Sequence, residues 1–110
     1  MNYQHTSLAA GRWSELAFVE QMANVGSEVE RALNWRAKNN VPYSQKAFER
    51  SLELIDLTLA NSRGFARLKE LARARETWAD FFSGANQYVS TEASWKKYFL
   101  HFTFAARRNR

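Results

Sequence analysis

A chain of 110 residues is one domain by length and can bury a core without staples, and its lack of cysteine excludes disulfides, thiolate metal sites and cysteine nucleophiles. Four glycines and one proline are too few for a fold of many tight β-turns, while 15% aromatic residues make a ring-rich core. The net charge is +5, and the segment 95–110 carries five basic and no acidic residues, which points to an anionic partner. The start, Met1 to Gly11, has no basic stretch followed by an apolar one, and no apolar run approaches a membrane span. The expectation is a soluble, cytoplasmic, single-domain protein with an N-terminal arm over residues 1–12.

The first helix is expected over about residues 14–39, with Ser14 as its N-cap. Phe18, Met22, Val25, Val29, Ala32, Leu33 and Arg36 fall within about 100° of arc, a helical stripe and not a strand alternation. Gly26 sits at the edge of that stripe. A mid-helix glycine costs about 1 kcal/mol against alanine, and a close helix–helix approach would account for it. Asn39-Asn40-Val41-Pro42 breaks the helix, and Pro42 can only open the next.

The second helix, about residues 42–60, packs with Ala47, Phe48, Ser51, Leu52, Ile55, Thr58 and Leu59, and ends at Asn61-Ser62-Arg63-Gly64. The third, about 65–82, uses Leu68, Leu71, Ala72, Trp78, Ala79 and Phe82. After the loop from Ser83 to Val89, Ser90 or Thr91 caps a fourth helix over about 91–107, with Glu92 in its first turn. That helix buries Trp95, Tyr98, Phe99, Phe102 and Ala106, and a basic tail, 108–110, follows. Four amphipathic helices on short connections predict an all-α, antiparallel up-down-up-down four-helix bundle. A helical-hairpin pair that completes its core only in an oligomer is the other reading.

The fourth helix has a second face. Lys96, Lys97, Leu100, His101, Phe104, Arg107 and Arg108 lie within about 140° of arc opposite its core stripe. Phosphates attract Lys and Arg, and unpaired bases stack on flat rings, so this mixture suits RNA or DNA. The expected nucleic-acid contacts are Lys96, Lys97, His101, Phe104, Arg107, Arg108 and Arg110. Alternatively Leu100 and Phe104 form a subunit interface while the cations stay solvated, and Trp35, beside its own helix's stripe, either covers the core edge or anchors a partner.

Arg75 falls on the apolar stripe of the third helix and calls for an acid on a neighbouring helix or a path past the core edge into water, with a functional arginine reaching a central cavity as the sharper alternative. Glu49, Glu53 and Asp56 share one face of the second helix, the spacing that holds magnesium in helical nucleotide pyrophosphatases. Their face points away from the core stripe, and the companion Glu-Glu-x-x-Glu helix is missing. A solvated acidic face is the plainer reading, with a magnesium-dependent nucleotide hydrolase as a minor alternative. Lys69, Arg73, Glu76 and Asp80 are spaced for surface ion pairs along the third helix. His5 and His101 share no metal-ligand spacing, and no nucleophile–base pair, glycine-rich phosphate loop or Arg-x(4–6)-His ribonuclease signature is present. No catalytic, metal or cofactor role is expected.

The four helices, the basic charge and the aromatic C-terminal helix (Trp95-Lys96-Lys97-Tyr98-Phe99 to Ala105-Ala106-Arg107-Arg108-Asn109-Arg110) resemble the small bacterial bundles grouped with the ribosomal RNA intervening-sequence family. One branch of that family is Avd, the accessory protein of diversity-generating retroelements. The resemblance is one of layout. It implies a non-enzymatic homo-oligomer, a ring in that branch, which binds nucleic acid beside a reverse transcriptase.

Overall fold

Trp13 decides where the first helix begins. Its ring is 2% exposed and its Nε1 donates to Thr58 Oγ1 at 3.1 Å, so the chain turns to lay the indole on the second helix. The computed structural model describes residues 11–108 and shows a 3-10 turn over Trp13–Glu15, extended backbone at Leu16 and Ala17, and α1 over Phe18–Ala37. The expected start near Ser14 is therefore corrected. Ser14 Oγ donates to the Gly11 carbonyl at 2.6 Å, and the helix opens instead at Ala17, whose amide donates to Glu20 Oε1 at 3.2 Å. Of the expected arm, residues 1–10 lie outside the described region.

The later boundaries follow the sequence signals closely. Asn40 Oδ1 accepts the Tyr43 amide at 3.2 Å and caps α2 over Val41–Asn61, with Pro42 in the first turn, where no helical donor is needed. Gly64, at φ 94°, makes the turn into α3 over Phe65–Ser83. Thr91 Oγ1 accepts the Ser94 amide at 3.0 Å while Ser94 Oγ accepts the Thr91 amide at 3.1 Å. This reciprocal pair satisfies two amides at the start of α4 over Glu92–Arg108.

Side-chain pairs give the topology. Glu28–Arg50 and Trp35–Tyr43, with Trp13–Thr58 from the turn before α1, run in opposite senses along α1 and α2. Asp56–Arg75, Ser51–Trp78 and Phe48–Phe82 do so along α2 and α3. Glu70–Tyr98 and Trp78–Trp95 continue the pattern along α3 and α4, and Phe18–Phe102 with Gly26–Phe99 closes it between α4 and α1. Arg36 over the Phe82 ring and Arg67 over the Phe18 ring link α1 to α3 in parallel, as diagonal partners must be. The fold is an all-α four-helix bundle, and no helix among the described residues is long and apolar enough to cross a membrane.

The core is built of the expected stripes with local revisions. Met22, Val25, Val29, Ala32 and Leu33 of α1 are buried, as are Ala47, Phe48, Ser51, Ile55 and Thr58 of α2, together with Leu54 and Leu57 from outside the expected stripe. On α3 only Leu71 and Trp78 are buried, whereas Ala72 is exposed and Leu68 is 37% exposed. The α3 backbone comes closest to α2 and meets α4 mainly through long side chains, so a small residue such as Ala72 does not reach the core. Arg36 lies on the α1 stripe yet is exposed, with its guanidinium 5.0 Å above Phe82 and 5.7 Å from the centre of Phe81. It closes that end of the core with its stem and keeps its charge in water.

Candidate nucleic-acid interface

The two faces expected of α4 are both present. Trp95, Phe99, Phe102 and Ala106 are buried and Tyr98 is half-buried, while Lys96, Lys97, Leu100, His101, Phe104, Arg107 and Arg108 are all exposed. Leu100 and Phe104, one turn apart, leave 51% and 55% of their surfaces in solvent. His101 stands edge-on to Phe102 with centroids 5.6 Å apart, which holds the imidazole beside the rings. One cation is answered locally, because Lys96 Nζ lies 3.2 Å from Glu92 Oε1 at i,i+4 spacing. That revises the expectation of wholly uncompensated charge. Arg110 lies outside the described residues.

A groove of about 710 Å³ runs between α4 and α1, with Lys96, Lys97, Leu100 and Arg107 on one bank and Ser27 and Glu30 on the other. It exists because Gly26 brings the two backbones together beneath it. A Cβ added at Gly26 would stand 2.7 Å from Phe99 Cβ, so no side chain fits between the helices there.

Trp35 is not part of this face. It lies at the far end of α1, half-buried and edge-on to Tyr43, with centroids 4.9 Å apart and Lys38 Nζ 5.2 Å from the ring centre. Of the three residues expected at an interface, the fold brings Leu100 and Phe104 together and places Trp35 against α2.

The acids behave differently from one another. Asp56 pairs with Arg75, with Nε 2.7 Å from Oδ1 and Nη2 3.4 Å from Oδ2, which meets the expectation of an acid on a neighbouring helix. Glu49 accepts from Gln45 at 3.3 Å, and no group of three or more metal-ligating side chains occurs among the described residues. On α3 the expected ion pairs with Lys69 and Arg73 are replaced by bonds to the following loop: Glu76 Oε1 accepts the Tyr88 hydroxyl at 2.5 Å and Asp80 Oδ2 accepts its amide at 3.2 Å.

Glu28 is the residue sequence reasoning missed. It is 5% exposed and accepts from Arg31 Nη1 within α1 and, at 2.5 Å, from Arg50 Nε across to α2. Its position beside the core stripe, one turn from Val25, is the signal available in the sequence, but its second partner is 22 residues away.

Between α3 and α4 lies an apolar cleft of about 300 Å³, bordered by Arg73, Thr77, Trp95 and Tyr98. The Tyr98 hydroxyl donates to Glu70 Oε2 at 2.8 Å along its edge, and burial, followed by this bond and the carboxylate's charge, raises the phenol's pKa well above the ordinary range. The Trp95 indole N–H is buried and meets no acceptor among the described residues. No protein-family model matches the chain, and no curated protein or solved structure matches it.

Proposed function

We propose that the protein is a non-enzymatic accessory protein that binds nucleic acid through the outer face of α4, and that it does so as a homo-oligomer beside a protein partner. The observation that carries the reading is the composition of that face. Lys97, His101, Phe104, Arg107 and Arg108 are all exposed on one helix, and Glu92 answers only Lys96. Cations there meet phosphates, and the half-exposed Phe104 ring offers a surface for an unpaired base.

The test is binding of single-stranded and duplex RNA and DNA across a salt series, for the wild type and a Lys96, Lys97, Arg107, Arg108 quadruple alanine variant. Each lost phosphate contact removes about 0.7–0.9 from the slope of log affinity against log salt, so a loss of about three is expected. Binding insensitive to both salt and the substitutions overturns the reading.

Exposure of Leu100 and Phe104 favours a second reading, in which the face is a subunit interface. Under that reading Phe104→Asp dissociates the oligomer, as seen by light scattering, and leaves nucleic-acid affinity per subunit unchanged.

A further inference from the structure

The buried carboxylate of Glu28 draws two guanidiniums to one place on the molecule, and the surroundings of that place are unusual. Arg31, Trp35, Tyr43, Lys46 and Arg50 together line a cavity of about 360 Å³ at the α1–α2 seam. Three are cations, and the one carboxylate that bridges two of them leaves the cluster positive. Glu28 engages a single nitrogen of each arginine, Nη1 of Arg31 and Nε of Arg50, out of the five N–H donors that each guanidinium carries. The other donors belong to side chains that line the cavity. Arg50 is held with only 26% of its side chain exposed, so much of the entropy cost of fixing it is already met by the fold.

The aromatic half of the cavity is fixed in the same way. Tyr43 is 53% exposed, its ring stands at 78° to Trp35, and its amide is anchored by the Asn40 cap. A half-exposed ring held by a second ring, next to three cations, matches a ligand that is flat at one end and multiply anionic at the other. Guanidiniums recognise phosphate through paired N–H donors, Lys supplies a point charge, and rings stack on bases.

We propose that this cavity is a nucleotide-binding subsite, in which Tyr43 stacks the base and Arg31, Lys46 and Arg50 hold the phosphate, with Glu28 as the residue that positions both arginines. The chemistry is shared by a free nucleotide and by one nucleotide of a single strand. The second source has a route. The α1–α4 groove shares Ser27 and Glu30 with a depression across α1, and that depression shares Arg31 and Trp35 with this cavity. The site itself does not depend on nucleic acid binding at α4.

The experiment titrates AMP and a short single-stranded oligoadenylate into the wild type, Tyr43→Ala, Tyr43→Phe, Lys46→Ala and the α4 quadruple alanine variant. Tyr43 and Lys46 are exposed, and circular dichroism verifies that their variants keep the helices. The expected result is saturable AMP binding that weakens roughly fivefold or more in Tyr43→Ala and in Lys46→Ala, persists in Tyr43→Phe, and is unchanged in the α4 variant. Binding of the oligoadenylate alone, weakened by the same two alanine variants, supports the subsite with the strand as its source. If neither probe binds, or if neither substitution weakens either probe, the proposal is overturned. Loss of binding only in the α4 variant also overturns it while leaving the function proposed for α4 intact.

Discussion

Gly26 of α1 faces the Cβ of Phe99 on α4 so closely that an added methyl group would stand 2.7 Å from it, 3.0 Å from Phe99 Cγ and 3.1 Å from Cδ1. The nearest of these atoms sits at the base of the side chain, where a rotamer change cannot move it away. Gly26→Ala therefore sets two effects against each other. Helix propensity favours alanine by about 1 kcal/mol, and overpacking at a helix crossing costs about 1–3 kcal/mol. Overpacking is expected to win, so the urea midpoint falls. Phe99→Gly, which removes the Cβ that alanine would keep, should cost less in the Gly26→Ala background than alone, a coupling that a double-mutant cycle reads directly. Additive effects would mean that the two helices adjust freely.

This close approach was legible in the sequence because a glycine on an apolar stripe has few other uses. The two faces of α4 were legible for a similar reason, since seven residues segregated by arc admit one helical explanation. Trp13 was not. A three-residue 3-10 turn has no periodicity to read, and only the Thr58 hydroxyl on another helix shows why that tryptophan is inside. Ala72 was misplaced because a stripe in sequence does not say how near the neighbouring backbone comes. Glu28 was opaque because acids are read as surface residues until a partner from another helix, here Arg50, is seen beside them.

Three tryptophans carry their indole N–H groups differently, and stability should sort them. Trp13 donates to Thr58 Oγ1 at 3.1 Å and Trp78 to Ser51 Oγ at 2.9 Å, both hydroxyls being fully buried, whereas Trp95 donates to nothing among the described residues. Thr58→Val keeps the volume and orphans a buried donor, which costs about 1–3 kcal/mol. Ser51→Ala does the same to Trp78. Trp95→Phe removes a donor that is already unsatisfied, so the loss of ring contacts is partly offset. Denaturation curves should show Trp78→Phe as the more damaging of the two Trp→Phe changes. The reverse order would mean that the Trp95 N–H has a partner in solution.

The alkaline limit of stability should carry a contribution from Tyr98. Burial is the larger cause of its raised pKa, and the Glu70 hydrogen bond and charge add to it. Below the ordinary tyrosine pKa of about 10, folded and unfolded chains both hold the phenolic proton, and this contribution is fully present. Above it the unfolded chain releases the proton while the folded chain retains it. The folded state then binds more protons, and stability falls as pH rises through the alkaline range. Tyr98→Phe removes this term. The wild type should therefore lose more stability than the variant between about pH 9 and about pH 11, as measured by urea midpoints at each pH. Parallel losses in the two proteins would show that Tyr98 ionises equally in both states.

Two cross-helix ion pairs on the same bundle should differ in what they contribute. Asp56 and Arg75 each leave 38% of the side chain exposed, so water screens the pair and either member rehydrates when the other is removed. Asp56→Asn should cost no more than about 1 kcal/mol, and less in high salt. Glu28 leaves only 7% of its side chain exposed and serves two arginines at once. Hydrogen bonds to charged groups contribute about 1.5–3 kcal/mol each, but Arg31 at 53% exposure recovers most of its solvation on losing the carboxylate. Arg50, at 26%, recovers less, so it sets the size of the effect. Glu28→Gln should cost about 1–3 kcal/mol, with weak salt dependence, and Glu30→Gln, which removes the same charge on the exposed side of α1, should be close to silent. Glu28→Gln should also loosen both arginines, so nucleotide affinity at the α1–α2 cavity falls under conditions where the variant is fully folded. A Glu28→Gln protein that is no less stable than Asp56→Asn would mean that the buried carboxylate costs as much to desolvate as its two arginines return.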